Sequence, residues 1–171
     1  MAFKNMQDLL IEELRDIYHA EKQMEKALPK LAKASLSDEL RQCFETHREQ
    51  TRGQIERLEQ VFEKLDTRTR GKRCEAMEGL IDEAREIMEM GLPPEMLDAA
   101  LIGAAQKAEH YEIASYGTVH AFAAAMGLQE VADLLQQTLD EEKETDRLLN
   151  DLAVNNINKK AIQAGGQSKA A

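Results

Sequence analysis

The 171-residue sequence has no tryptophan, three prolines and two cysteines, and aromatic side chains make up only 4% of it. β-Sandwiches and β-barrels depend on aromatic and β-branched residues, so this composition argues against both. Cys43 and Cys74 are too few for a disulfide scaffold, and the chain has no CxxC motif. Strong helix formers such as Ala, Leu, Glu, Gln and Lys are abundant. We therefore expect an all-α protein whose thiols are reduced.

Positive charge is also scarce, with 22 Lys and Arg against 32 Asp and Glu, and a formal net charge of −10. A protein this acidic repels polyanions, so the composition predicts no nucleic-acid partner. The longest apolar run, residues 99–105, is far shorter than the roughly 20 residues that a membrane span needs. The first residues lack the apolar stretch of a signal peptide. These features predict a soluble, cytoplasmic protein without a membrane partner.

Apolar residues recur at helical spacing over most of the chain. The pattern predicts four long helices at residues 5–33, 37–65, 95–126 and 129–156, and a short one at 74–90. Ser37 is placed to cap the second helix, and Asn5 or a neighbour to cap the first. Pro29 is expected to kink the first helix or to end it early. The composition of residues 158–171 predicts a disordered tail after a helical domain of residues 1–157.

The connections between the helices indicate how they pack. Helices of roughly 28 residues are about 40 Å long, and their apolar stripes must be buried against one another. Short connections join the first long helix to the second and the third to the fourth, so each pair forms an antiparallel hairpin. The long crossover, which contains the short helix, can carry the chain back along the bundle. Two hairpins joined by one long crossover make a ferritin-like four-helix bundle.

Each of the four long stripes becomes polar near the middle of its helix. Helix midpoints share one level in an antiparallel bundle, so these side chains meet in one layer of an otherwise apolar interior. The candidate members are Glu21, His47, Gln50, Thr51, Gln54, Glu109, Glu112, Glu141, Glu142 and Thr145. Buried carboxylates lose hydration and repel each other, which costs several kcal/mol per ion. Bound cations offset that cost, and carboxylate oxygens with one imidazole suit iron or manganese.

The two hairpins echo each other in this layer. Each has an Ala-Glu dipeptide in its first helix and two polar side chains, three residues apart, in its second. Di-metal bundles use one Glu from each of two helices and a Glu-x-x-His pair from each of the others. The pairs here are His47-x-x-Gln50 and Glu141-x-x-Glu144, so the strict motif is absent.

A simpler interpretation of the same residues remains open. A chain with 32 acidic residues places some of them on an apolar stripe by chance. His47 alone is typical of a buried histidine that is hydrogen-bonded to Thr51 or to a carboxylate. Glutamine and threonine side chains in the layer would then satisfy protonated carboxyl groups without any metal.

Five stretches of the sequence closely resemble the YciE/YciF family of stress proteins. They are AEKQMEKALPKLAKAS, THREQTRGQIERLEQVFE, CEAMEGLIDEAREI, AAQKAEHYEIASYGT and LDEEKETDRLLNDLAVNNINKK. The resemblance covers nearly the whole chain to about Lys160. It implies a ferritin-like fold, a homodimer, and a dinuclear iron or manganese centre similar to that of rubrerythrins, in a family grouped with ferroxidase-like proteins.

The resemblance also implies a set of ligands. Carried over by position, they are Glu21, His47, Glu109, Glu112, Glu141 and Glu142, with Asp146 as a further candidate. At Gln50, members of the family carry Glu. Glutamine is a neutral and poorer ligand, so one metal position is expected to be weak or empty in this chain.

Two functions follow as hypotheses. The first is a stress-response protein whose metal centre handles iron or reduced oxygen species, with oxygen or peroxide as its small-molecule partner and Glu112 as a bridging ligand. A ferroxidase needs two metals roughly 3.5–4 Å apart. The alternative is a non-catalytic scaffold dimer whose polar layer is metal-free. A hollow storage shell is less favoured, because shells need many subunit interfaces.

Overall fold

The computed structural model describes residues 4–167, and every regular element in that range is helical. The helices are α1 (Met6–Ala34), α2 (Asp38–Lys64), α3 (Glu75–Glu89), α4 (Pro94–Ala125), α5 (Gln129–Leu152) and α6 (Asn158–Gln167), with a π-helical turn at Ala153–Ile157. The prediction of an all-α protein, with a short helix between the second and third long helices, is confirmed. No helix within residues 4–167 is both long and apolar enough to cross a membrane.

Capping residues determine where the first two helices begin. The Oδ1 atom of Asn5 accepts a hydrogen bond from the backbone N–H of Asp8 at 2.9 Å, and the Oγ atom of Ser37 accepts one from Leu40 at 3.4 Å. Each cap satisfies an N–H group that has no partner inside its helix. After α4, Gly127 adopts a φ of +73°, a left-handed conformation in which glycine has no Cβ to clash.

Side-chain contacts show that α1 and α2 run in opposite directions. The hydroxyl of Tyr18 donates a hydrogen bond to Glu59, and Arg52 donates one to Glu25. Residue numbers therefore rise along one helix as they fall along the other. The short connection at residues 35–37 allows no other arrangement of two helices this long.

α5 packs against α2, again in the opposite direction. Lys64 at the end of α2 pairs with Glu130 at the start of α5, and Asn156 beyond α5 donates a hydrogen bond to Glu39 near the start of α2. α4 contacts both α1 and α5. The long helices thus contact each other in a closed ring, in the order α1, α2, α5, α4, around one interior.

The crossover between α2 and α4 runs back along α1. The backbone N–H of Lys72 donates to the carbonyl of Arg15 at 2.9 Å, and that of Cys74 donates to Nδ1 of His19 at 3.1 Å. α3 then packs against α1 and α4. The chain thereby reaches the start of α4 at the end of the molecule where α1 finishes.

The interior consists of two apolar clusters with a polar layer between them. The first cluster includes Met24, Leu28, Leu40, Phe44, Met77 and Leu101, and the second includes Leu10, Leu14, Leu58, Phe62, Tyr116 and Leu135. The buried polar side chains between them are Glu21, His47, Thr51, Gln54, Glu109, Glu112, Glu142 and Thr145. On α1, for example, Glu21 lies between the residues of the two clusters.

α1 continues through Pro29 to Ala34, so the early end that the proline predicts does not occur. Proline removes one backbone hydrogen bond and crowds the carbonyl four residues earlier. Leu28, Leu31 and Ala32 around it are all buried. Their packing against the interior offsets the lost hydrogen bond and keeps the last turn helical.

The chain also remains helical after α5, which differs from the disordered tail that the sequence predicts for residues 158–171. The structure continues as α6 to Gln167, and residues 168–171 lie outside the described range. The π-helical turn directs Ile157 into the core, where it is 2% exposed. α6 then packs against α4, so the last residue of the predicted domain anchors the helix that follows it.

Asp98 joins the start of α4 to the turn between α1 and α2. Asp98 is 3% exposed and accepts hydrogen bonds from the backbone N–H groups of Leu36 and Ser37, both at 2.8 Å. We predict that Asp98→Ala lowers the free energy of unfolding by about 1–3 kcal/mol, because two donors lose their partner. Urea unfolding followed by circular dichroism measures this loss. Asp133→Ala, at an exposed position, is the control, and an equal loss in both variants would contradict the prediction.

Candidate metal centre

Four side chains of the polar layer bring their donor atoms to one point. His47 comes from α2, Glu109 and Glu112 come from α4, and Glu142 comes from α5. One ligand atom of each lies within 4.8 Å of the others, and none of the four residues is more than 2% exposed. The spacing of three residues puts Glu109 and Glu112 on one face of α4. These four residues are called the donor cluster below.

The acceptor atoms of the donor cluster face each other, and most of them have no hydrogen-bond donor as a partner in the described structure. His47 Nε2 lies 3.3 Å from Glu109 Oε1 and 3.9 Å from Glu142 Oε2. Within residues 4–167, no group hydrogen-bonds to Nε2 of His47, to Oε2 of Glu109, or to either carboxyl oxygen of Glu112 and Glu142. Buried polar atoms in proteins normally have partners. Protons or a cation between these atoms would therefore be needed to satisfy them.

Glu21 of α1 lies in the same layer, beside the donor cluster. It is 1% exposed, and the hydroxyl of Tyr116 donates a hydrogen bond to its carboxyl group. After burial, the charge of Glu21 has the largest effect in raising the pKa of Glu112. All four long helices therefore supply at least one titratable side chain to the layer.

The structure does not bring Glu141 into the donor cluster. Its side chain is 29% exposed and forms an ion pair with Arg57. Its Oε2 atom also accepts a hydrogen bond from Gln54 at 3.1 Å. Adjacent residues on a helix point in directions about 100° apart, so Glu141 faces α2 when Glu142 faces the interior.

Gln50 and Asp146 also lie outside the donor cluster. Gln50 is half-buried, and its side chain lies close enough to His47 to raise the pKa of that imidazole, against the larger lowering by burial. Asp146 lies 3.3 Å from Nε2 of His110 and accepts a hydrogen bond from Gln106 at 3.0 Å. Gln50 therefore lies beside the imidazole of His47 and outside the cluster, whereas Asp146 belongs to a surface contact between α4 and α5.

Burial changes the protonation of the titratable groups in the layer. Loss of hydration raises the pKa values of Glu21, Glu109 and Glu112 well above their ordinary range, and neighbouring carboxylates raise them further. Burial also raises the pKa of Glu142 to about 7 and lowers that of His47 to about 4. The imidazole is therefore neutral at pH 7 and keeps a lone pair. Glu21, Glu109 and Glu112 hold protons at this pH, and Glu142 is partly protonated, unless a cation replaces the protons.

The donor cluster has the donor set to hold a metal ion such as iron or manganese. Three carboxyl groups and one neutral imidazole are the donors that such ions accept. The carboxyl oxygens of Glu112 and Glu142 have no hydrogen-bond partner among the described residues, so they are free to bind an ion. Cys74 caps α3 and Cys43 lies outside the cluster, so neither thiol contributes a soft ligand.

Sequence reasoning missed two residues that shape the layer. Arg57 neutralises Glu141 and was not among the expected members, although it follows Gln54 by three residues and shares its helix face. For Tyr116 the sequence favours ordinary core packing over a role as a hydrogen-bond partner of the site. It follows Glu112 by four residues, and the same spacing rule places its hydroxyl near the layer.

Comparison with known proteins shows relatives that match over nearly the whole chain. Residues 5–162 match a family described as a domain of unknown function, DUF892. Protein YciF of Escherichia coli K12 is 52% identical over 162 residues, which cover 94% of this chain and 98% of that protein. The crystal structure of the E. coli stress protein YciF superposes with a TM-score of 0.88 at 51% identity, and covers 92% of this chain and 99% of its own.

Two further solved structures are similar. YcfI from Rhodopseudomonas palustris, for which a structural role is suggested, has a TM-score of 0.86 at 44% identity, and the match covers 88% of this chain and 96% of that one. A protein from Xanthomonas campestris pv. campestris has a TM-score of 0.76 at 23% identity, with 95% and 99% of the two chains covered. The last likeness concerns the fold alone.

The raised pKa of Glu142 makes the stability of the metal-free protein depend on pH. The folded state holds this proton up to about pH 7, whereas the unfolded chain releases it near the ordinary value of 4.5. The contribution is therefore fully present below pH 4.5 and is lost as the pH rises through 7. Because Glu21, Glu109 and Glu112 shift in the same direction, we predict that the free energy of unfolding falls between about pH 5 and about pH 8.

His47 opposes this trend, because its lowered pKa reduces the free energy of unfolding as the pH falls from 6.5 towards 4. The four carboxyl groups together have the larger effect, since only one imidazole acts against them. Urea unfolding in the presence of a chelator, at several pH values, measures the slope. Glu142→Gln should flatten it, and Asp140→Asn, an exposed change on the same helix, should leave it unaltered. A stability that rises over this range would show that the carboxyl groups are not buried as described.

Proposed function

The chain belongs to the DUF892 family, and from this membership and the donor cluster we propose that it is a ferritin-like stress-response protein that binds iron or manganese. In this proposal α1, α2, α4 and α5 are the helices of a ferritin-like four-helix bundle, and α3 lies in its crossover. The closed ring of contacts between these helices supports that arrangement. The stress role is supported by the description of the relative YciF as a stress protein.

One observation carries the proposal of a metal site. The donor cluster collects four buried ligand atoms from three helices, and most of its acceptor atoms have no hydrogen-bond partner within the described chain. A layer that served only to hold helices together would satisfy these atoms, because each buried unpartnered polar group costs free energy. A bound cation removes that cost.

We propose that the centre is dinuclear and that Glu112 is shared between its two ions. The donor cluster would hold the first ion, and Glu21 would add a carboxylate for the second. Gln50, where the family resemblance leads one to expect Glu, is neutral and lies outside the cluster, so the second position binds more weakly. Bound iron would supply the change of oxidation state that ferroxidase- or rubrerythrin-like chemistry with oxygen or peroxide requires.

Side chains around the donor cluster hold its donors in position. Tyr116 donates a hydrogen bond to one oxygen of Glu21, which orients that carboxyl group towards the layer. The Oγ1 atom of Thr145 lies 3.4 Å from Nδ1 of His47, and Gln50 contacts the same ring. The imidazole is thus held while Nε2 faces the cluster. The apolar clusters on either side keep water out, so charges in the layer interact strongly.

Glu112→Gln tests the metal site, because it keeps the size of the side chain and removes the charge. Protein purified without chelators should contain iron or manganese, and Glu112→Gln should bind Fe(II) at least about tenfold more weakly. Elemental analysis and equilibrium titration under nitrogen measure both. Glu144→Gln, at an exposed position on α5, is the control and should bind like the unsubstituted protein. Equal affinity in Glu112→Gln would reject the assignment.

A structural function is the second candidate, and the contacts of Arg57 favour it. Its Nη1 atom donates to Oγ1 of Thr138 at 2.6 Å, and the same guanidinium pairs with Glu141, so that one side chain on α2 holds α5 at two points. A structural role is also suggested for the relative YcfI. In this alternative the layer is free of metal, and its protonated carboxyl groups hold the helices together.

The stability of Glu112→Gln without metal distinguishes the two functions. An unpartnered metal ligand destabilises the empty protein, so its removal should raise the free energy of unfolding by at least about 1 kcal/mol at pH 8. If the carboxyl group of Glu112 instead holds the helices together, its removal should lower the free energy of unfolding. The measurement is the same urea titration, made in the presence of a chelator.

We further propose that the protein is a homodimer in the cytoplasm. The family resemblance implies the dimer, and the free thiols of Cys43 and Cys74 suit a reducing compartment. Light scattering should give twice the chain mass of 19.3 kDa. The mass of a single chain at micromolar concentration would contradict the proposed association.

A further inference from the structure

A surface pocket opens between α2 and α5 at the level of the donor cluster. Its volume is about 260 Å³. Its walls include Cys43, Thr46 and Gln50 from α2, and Thr145, Leu148 and Leu152 from α5. It is distinct from the donor cluster, because none of its lining residues belongs to that cluster.

The floor of this pocket is a single layer of side chains above the imidazole of His47. Gln50 and Thr145 both line the pocket and both contact that ring, Thr145 through an Oγ1 atom 3.4 Å from Nδ1. The hydroxyl of Thr145 donates to the backbone carbonyl of Glu141 and is fixed by it. Gln50 is only half-buried. Rotation of one glutamine side chain, which takes place in picoseconds to nanoseconds, would therefore open the floor.

The lining of the pocket selects against ions. No lysine or arginine is among its lining residues within the described chain, and the protein is strongly acidic, so an anion finds nothing to attract it. Its single carboxylate, Glu39, lies on the outer turn of α2 and accepts a hydrogen bond from Asn156 at 2.9 Å. Leu148 and Leu152 give the pocket an apolar wall, and its amide and hydroxyl groups, on residues such as Gln42 and Thr46, carry no charge. A small uncharged molecule with weak hydrogen bonding is the best match.

We propose that this pocket is the access route by which dioxygen reaches the metal centre, with Gln50 and Thr145 as its inner gate. The inference rests on the proposed function, because it names the oxidant of that same site and its path. Dioxygen fits the apolar wall better than hydrogen peroxide, which is strongly hydrated. In this proposal Gln50, which is neutral and half-buried, acts as part of the gate and not as a metal ligand.

The pocket is tested first in metal-free protein, where no activity is involved. Dissolved dioxygen is paramagnetic and speeds the relaxation of nearby methyl protons in NMR spectra of leucine-labelled protein. The methyl groups of Leu152 should show at least twice the enhancement of those of Leu134, a similarly half-buried leucine on the same helix that does not line the pocket. An enhancement at Leu152 no larger than at Leu134 would overturn the proposal.

Thr46→Leu fills the pocket from its rim without touching the donor cluster. It should abolish the excess relaxation at Leu152, whereas Glu56→Leu, at an exposed position on the same helix, should leave it unchanged. In protein loaded with Fe(II) and mixed rapidly with dioxygen, Thr46→Leu should slow the oxidation of bound iron at least fivefold without altering the amount of iron bound. An unchanged oxidation rate in Thr46→Leu would also overturn the proposal.

The two measurements separate this inference from the proposed function. If the protein binds neither iron nor manganese, the metal centre is rejected, and the relaxation data alone then decide whether dioxygen occupies the pocket. If iron binds and the pocket shows no excess relaxation, the metal centre stands and the access route is wrong.

Discussion

The constraint that governs this protein is the burial of four carboxyl groups in one layer with almost no counter-charge inside it. Two apolar clusters enclose the layer and exclude water, which makes each charge there costly. The apolar packing must supply enough stability to tolerate this arrangement. Protons fill the role of counter-ions when no metal is present, as the raised pKa values of Glu109 and Glu112 show. In the proposed function, a bound cation takes the place of these protons.

Hydrogen bonds in the layer are distributed unevenly, and this asymmetry supports the proposed metal site. At the edge, Glu141 is satisfied by Arg57 and Gln54, and Glu21 is satisfied in part by Tyr116. At the centre, both oxygens of Glu112 are left without a donor in the described structure. A layer that evolved only to join helices would show the opposite pattern, because satisfied polar groups rigidify a core and unsatisfied ones weaken it.

The relatives place these observations in a wider group of proteins. The match to YciF covers nearly the full length of both chains at about half identity, so the arrangement of helices that forms the layer is shared. A structural role has been suggested for the similar protein YcfI. A scaffold and a metal site are compatible within one fold, since the Arg57 contacts join α2 to α5 at the edge while the donor cluster occupies the centre.

Local sequence rules determined much of this protein: the all-α class, the bounds of the long helices to within a few residues, and the buried polar layer. Helical periodicity suffices for these features because it sets the angle of each side chain about its own axis. It does not set the rotation of a helix against its neighbours. Only the tertiary structure therefore decided that Glu142 faces the cluster while Glu141 turns to Arg57, that α1 passes through Pro29, and that the buried side chain of Ile157 extends the domain into α6.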